Sequence, residues 1–185
     1  MAKTVDARRQ DRPLWLNEDE MAAWLANSAI MISLPAALDA RMQRESQMTF
    51  FEYMVLSVLS EEPDRTMQMS RLAARTAASL SRLSHVVARL EKRGLVTRSR
   101  IPGAGRRTNT TLTDAGNDVV VAAAPGHVAA VREYLIDNLE PADLKALQRI
   151  GTAVADAVDG GRPAAPSAQA GAGDDGDGEG DVPEG

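Results

Sequence analysis

The chain has 185 residues, 44% of them apolar, no cysteine and a net charge of −5. That length allows one domain with tails, the apolar share can build a core, and the missing cysteine excludes disulfides and thiol redox sensing. The acidic balance argues against a nucleic-acid partner only at first sight, because Asp174, Asp175, Asp177, Glu179, Asp181 and Glu184, against Arg162, put the whole net charge into residues 160–185.

In chain order, residues 1–14 are polar and mixed in charge and are expected to form a flexible arm. Trp15 opens the ordered part. Asn17 or Glu18 starts a helix whose first turn carries Glu18, Asp19 and Glu20, which suits the positive end of the helix dipole. Met21, Trp24, Leu25, Ser28, Ile32, Leu38 and Met42 trace an apolar stripe along it. Pro35 is expected to kink or break it. Thr49 and Glu52 have capping-box spacing ahead of Tyr53, Val55, Leu56 and Leu59, which predicts a scaffold helix. Met67 is expected in a short strand.

Between Arg65 and Arg107 lies a basic island of eleven Arg and Lys residues in which Glu91 is the only acid. Such an island is the footprint of a polyanion partner. Within it, Ser70 precedes a short helical run with Leu72 and Ala73 on its apolar side. A break follows at Thr76 to Ala78. Ser79 then caps a second helix. That helix buries Leu83, Val86, Val87 and Leu90 and presents Ser81, Arg82, Ser84, His85 and Arg89 on its other face. Gly94 ends it. This is a helix-turn-helix plan, whose second helix reads base edges in the major groove. Leu95 to Arg100 and Thr108 to Leu112 predict a β-hairpin with Arg106 and Arg107 at its tip, in the position of a wing.

Thr113 caps the next helix, in which Pro125-Gly126 predicts a bend or break. Glu140-Pro141 starts a last helix, with Leu144, Leu147, Ile150, Val154 and Val158 at helical spacing. From Gly160 on, the Gly-, Ala-, Pro- and Asp-rich composition predicts a disordered acidic tail.

The residues Ser81-Arg82-Leu83, Val87, Arg89-Leu90-Glu91-Lys92, Gly94-Leu95-Val96, Arg98, Arg106 and Leu112-Thr113 with Gly116 resemble the MarR family of bacterial transcriptional regulators. The resemblance covers Asn17 to about Val158. It implies a mainly α fold with a small β-wing. Residues 47–116 would form a winged helix-turn-helix, and residues 15–46 and 117–159 a dimerisation base, within one domain at 15–159. It also implies a homodimeric, sequence-specific regulator of transcription, read as a repressor on a palindromic operator. Relatives are often released from DNA by small aromatic acids. The family usually has an Asp two residues before the wing-tip arginine, and this chain has Ala104 there, so Arg107 is expected to share the role of Arg106.

The expected DNA contacts are Ser81, Arg82, Ser84 and His85 in the major groove, with Ser79 capping their helix. Arg89 and Arg98 would hold phosphates, and Arg106 and Arg107, beside Thr108, would enter the minor groove. Thr49 and Ser70 would present helix N-termini to phosphates. A phenolic or aromatic effector would meet Trp15, Met21, Trp24, Met31, Phe51, Met54 and His127 in an apolar cleft. Catalysis is not expected. His85 and His127 have no ligand-spaced partners for a metal, and no nucleophile elbow, phosphate loop or dinucleotide fingerprint is present. No cofactor is implied. No uninterrupted apolar run of membrane-spanning length and no signal core are seen, so a cytoplasmic protein is expected. Two rival readings remain: an architectural, nucleoid-associated DNA binder without strong sequence choice, and a protein-interaction module whose basic face meets an acidic partner.

Overall fold

The computed structural model describes residues 15–101, 103 and 107–159. The expectations for the arm at 1–14, the tail at 160–185, and Ala104 and Arg106 concern residues outside that set. The elements run α1 (Glu18–Ser46), α2 (Phe50–Ser60), β1 (Thr66–Gln68), α3 (Met69–Arg75), α4 (Leu80–Lys92), β2 (Val96–Arg100), β3 (Thr108–Leu112), α5 (Asp114–Tyr134), a 3₁₀ turn at Ile136–Asn138, and α6 (Pro141–Asp159). One compact unit runs to Lys145, and a second begins at Ala146 within α6.

Caps set most boundaries. Asn17 caps α1 and Thr49 caps α2, each in a reciprocal box with a Glu three residues on. Each box satisfies two amides that a helix start leaves without partners. Ser79 accepts from the Arg82 amide at 3.2 Å, and Thr113 from the Gly116 amide at 3.0 Å. Ser70 departs from expectation: α3 already begins at Met69, with Gln68 as a cap that makes no side-chain bond. Neither Pro35 nor Pro125 breaks its helix, since both lie inside continuous helices. Proline removes one backbone hydrogen bond, but its own φ is helical, and helices of 29 and 21 residues carry that loss.

The sheet has the order β1-β3-β2, antiparallel throughout, with Met67 and Arg98 both opposite Thr110. Thr110 is fully buried and its hydroxyl donates to the Met69 sulfur at 3.0 Å. The core gathers Met42 of α1, Val55, Leu56 and Leu59 of α2, Leu72 of α3, Leu83, Val87 and Leu90 of α4, Val96 and Leu112 of the sheet, and Val120 and Ala123 of α5. On the outer side, α1 and α5 are joined by Arg41, which bonds Glu133 at 2.5 Å and Glu45 at 2.9 Å. These bonds, the one to Glu133 first, hold the Arg41 pKa above its ordinary value.

The expectation about membrane length needs correcting. Glu18–Ser46 and Asp114–Asn138 are long and apolar enough to cross a membrane by length and composition. The first contains the polar residues Asn27 and Ser28. In the helix they donate to the Ala23 and Trp24 carbonyls at 2.9 and 2.8 Å, so their polarity is met internally.

Gly116, in the first turn of α5, packs against the loop after α4. A Cβ there would lie 2.1 Å from the Leu95 carbonyl oxygen and 2.7 Å from Leu112 Cδ1. Backbone would have to move, so Gly116→Ala is expected to destabilise the fold by about 1–3 kcal/mol, the usual cost of overpacking. Thermal melting checks this, and an unchanged melting temperature would contradict the close approach.

Candidate nucleic-acid interface

The turn between α3 and α4 is tightly held. The Thr76 amide donates to the Leu72 carbonyl at 3.0 Å and the Ala78 amide to the Ala73 carbonyl at 2.9 Å, while Ala77 takes a left-handed φ of 49°. Ala78 is buried, which locks α4 against α3. Leu83, Val86, Val87 and Leu90 form the inner stripe of α4. The helical period places Ser81, Ser84, His85 and Ala88 opposite that stripe. Three of these four side chains are small, so the helix axis can come close to a surface it lies on. Leu80 flanks this outer face on one side, Arg82 and Arg89 on the other.

Two clefts border α4. One, of about 470 Å³, brings together Ser70, Ser84, Arg98, Arg107 and Thr108, with Gln68, Met69 and Leu80. The other, of about 430 Å³, brings together Thr49, Phe51, Arg82, His85 and Arg89, with Asp39 and Val86. The DNA-contact candidates among the described residues therefore fall on both sides of one helix, with Ser79 capping it and Ser81 on its outer face. Sequence reasoning misses Gln68 and Leu80. Leu80 carries a signal, as an apolar residue outside the buried spacing of its helix, whereas Gln68 carries none.

The charges are arranged differently from the one-dimensional picture. Acids outside the basic island reach into it. Glu62 pairs with Arg71 at 3.3 Å and Arg75 at 2.9 Å, and Asp114 with Arg65 at 3.0 Å. Glu52, itself buried, pairs with Arg89 at 3.2 Å and lies 3.8 Å from Arg93. Within the island, Arg98 donates twice to Glu91 and holds that carboxyl below its ordinary pKa. Among the described residues, Arg82, Lys92, Arg100 and Arg107 make no ion pair. The Arg82 guanidinium lies over the Phe51 ring, 4.2 Å from its centroid, a cation–π contact that pre-positions the cation without neutralising it.

The effector candidates are dispersed. Trp15, Met21, Trp24 and Met31 are exposed along α1 and its entry, while Phe51 lines the smaller cleft, which none of the other six borders. Met54 is half-buried on α2. His127 is packed between Phe50 and Tyr53, with ring centroids 5.7 and 4.6 Å away.

A tightly turned helix pair followed by a β-hairpin wing, with cations left open around the second helix, defines a winged helix-turn-helix protein. The comparisons with known proteins carry this to a family. Residues 46–107 match the MarR family model. Sco3205, a MarR family transcriptional regulator of Streptomyces coelicolor solved in complex with DNA, is 39% identical, with 83% of this chain and 94% of that one covered at a TM-score of 0.76. AbsC, a MarR family regulator from the same organism, is 34% identical over 80% of this chain and 99% of its own, at a TM-score of 0.74. BpsR of Bordetella bronchiseptica, whose DNA binding is regulated by 6-hydroxynicotinic acid, is 21% identical over 77% of this chain and 98% of its own, and at a TM-score of 0.65 it shares the fold. No curated protein sequence matches. The chain belongs to the MarR family of transcriptional regulators.

His127 gives a pH prediction. Its Nδ1 is buried and has no hydrogen-bond partner among the described residues, and burial lowers its pKa. The unfolded chain therefore binds this proton more readily than the folded one, so stability present above about pH 6.5 is lost as pH falls below it. Between pH 7.5 and 5.5 the melting temperature of the native chain is expected to fall more steeply than that of His127→Phe. Parallel curves would contradict a neutral, buried imidazole.

Proposed function

We propose that the protein is a transcriptional repressor that binds a palindromic DNA operator as a homodimer, in the bacterial cytoplasm. The observation that carries this reading is the small-residue outer face of α4, flanked by Arg82 and Arg107, which make no ion pair among the described residues, and supported by a wing. Sco3205, at 39% identity, is a relative solved on DNA. In this reading α4 enters the major groove, Arg107 and its neighbour Arg106 reach the adjacent minor groove, and Arg100 and Lys92 face phosphates. Arg89 and Arg98 exchange their carboxylate partners, Glu52 and Glu91, for phosphates on binding.

The homodimer is supported by apolar side chains that the single chain leaves uncovered. Trp24, Leu25 and Ile32 of α1, Val121 and Val128 of α5, and Ile150, Val154 and Val158 of α6 are all exposed. Exposed apolar side chains in such number, on α1 and α5 and separately on the end of α6, mark interaction surfaces. A palindromic site follows from two-fold symmetry, with half-sites about one helical turn apart.

A small aromatic acid is the proposed effector. The smaller cleft offers it the Phe51 ring, Arg82, His85 and Arg89. A carboxylate bound there would draw Arg82 and Arg89 away from DNA, which gives the differential affinity that any effector needs.

The test is selection of duplexes from a random pool, followed by titration at increasing salt. One palindrome is expected to be kept in the presence of random competitor, and Arg107→Ala is expected to flatten the log–log salt slope by about 0.9 for each phosphate that is no longer neutralised. Binding indifferent to sequence would favour an architectural DNA binder. An absence of salt-sensitive binding would leave an acidic protein as the partner.

A further inference from the structure

Leu80 is out of place. Between Met48 and Thr113 it is the one large apolar side chain, among the described residues, that is exposed, at 54%. The others exposed lie on α1 and its entry, on α5 and on α6. Leu80 is the first residue of α4, directly after the capping Ser79. It adds nothing to the inner stripe of that helix, which is complete from Leu83 onward.

Its surroundings are not those of a protein–protein contact. Four residues on, Ser84 stands on the same flank, and the cleft that the two share is also lined by Gln68, Ser70, Arg98 and Arg107. Hydroxyl and amide groups suited to base edges, and cations suited to phosphates, thus surround Leu80, and the other apolar side chain of the cleft, Met69, is buried. An aliphatic group has no hydrogen bond to offer. Of the groups that base pairs present in the major groove, the C5-methyl of thymine is the apolar one.

We propose that Leu80 is a specificity-determining residue that reads one thymine methyl in each half-site. This rests on the reading of α4 as the major-groove helix. The contact discriminates through the methyl alone. A correct thymine buries its methyl against Leu80, whereas a cytosine in its place presents only C5–H there and loses that apolar contact.

The experiment uses the full chain and the duplex it selects from a random pool. Each thymine is replaced in turn, in both half-sites, by deoxyuridine, which removes only the methyl. At one thymine per half-site the native protein is expected to lose about fourfold in affinity per methyl, the size of effect for burying one such group. Leu80→Ala is expected to bind the thymine duplex more weakly, to be indifferent to uracil at that position, and to select a pool without the thymine preference there. Leu80 is half exposed, so its loss should leave the melting temperature close to native, and the uracil scan on the native protein stands without the variant. Indifference of the native protein to every uracil, or an equal uracil penalty in Leu80→Ala, overturns the proposal while leaving DNA recognition intact. If no duplex is enriched at all, both readings fail together.

Discussion

The buried carboxylate of Glu52 is the contact on which the position of α4, the proposed DNA-reading helix, depends. It is 5% exposed, and it accepts from the Thr49 amide at 2.9 Å and from Arg89 Nε at 3.2 Å. A charge so placed is tolerable only while its partners stay in reach, because burial without them carries a large desolvation cost. One side chain therefore closes the N-terminus of α2 and ties it to the last turn of α4. The same few residues meet the long helices. The Phe50 amide donates to Asp39 of α1 at 2.8 Å, and the Phe50 and Tyr53 rings enclose His127 of α5. A movement of α1 or α5 has a direct mechanical route to α4 through residues 49–53. Release of Arg89 to a phosphate would leave Glu52 to Arg93 and the capping amide, so DNA contact and helix placement are coupled at one carboxylate.

Much of the fold was legible because it is locally encoded. The caps at Asn17, Thr49, Ser79 and Thr113, the left-handed Gly94 and the strand pair either side of residues 101–107 follow from residues close together in the chain. At Pro35 and Pro125 the break does not occur, because a proline signals one lost bond while helix continuity is decided by everything else in a long helix. The apolar run in α1 contains Asn27 and Ser28, whose polarity is met internally once the helix exists.

The site was less legible than the fold, for a different reason. Glu61 and Glu62 lie just before the basic island, Asp114 just after it, and Glu52 37 residues from Arg89, yet all reach its cations in the folded chain. Sequence counts charge, whereas folding pairs it. What remains open is narrower than the island, and it is concentrated around α4 and the wing. Leu80 is the reverse case: its exposure breaks the apolar pattern of α4, and a break of that kind is where function departs from packing.

The central claim is that α4 of two subunits occupies two successive major grooves. Dimethyl sulfate protection on a selected duplex tests it directly, because methylation at guanine N7 occurs in the major groove, where the proposed helix would lie. Two protected segments, centred about 10 base pairs apart, are the expected result. A duplex that is bound with every guanine N7 still reactive would contradict the account.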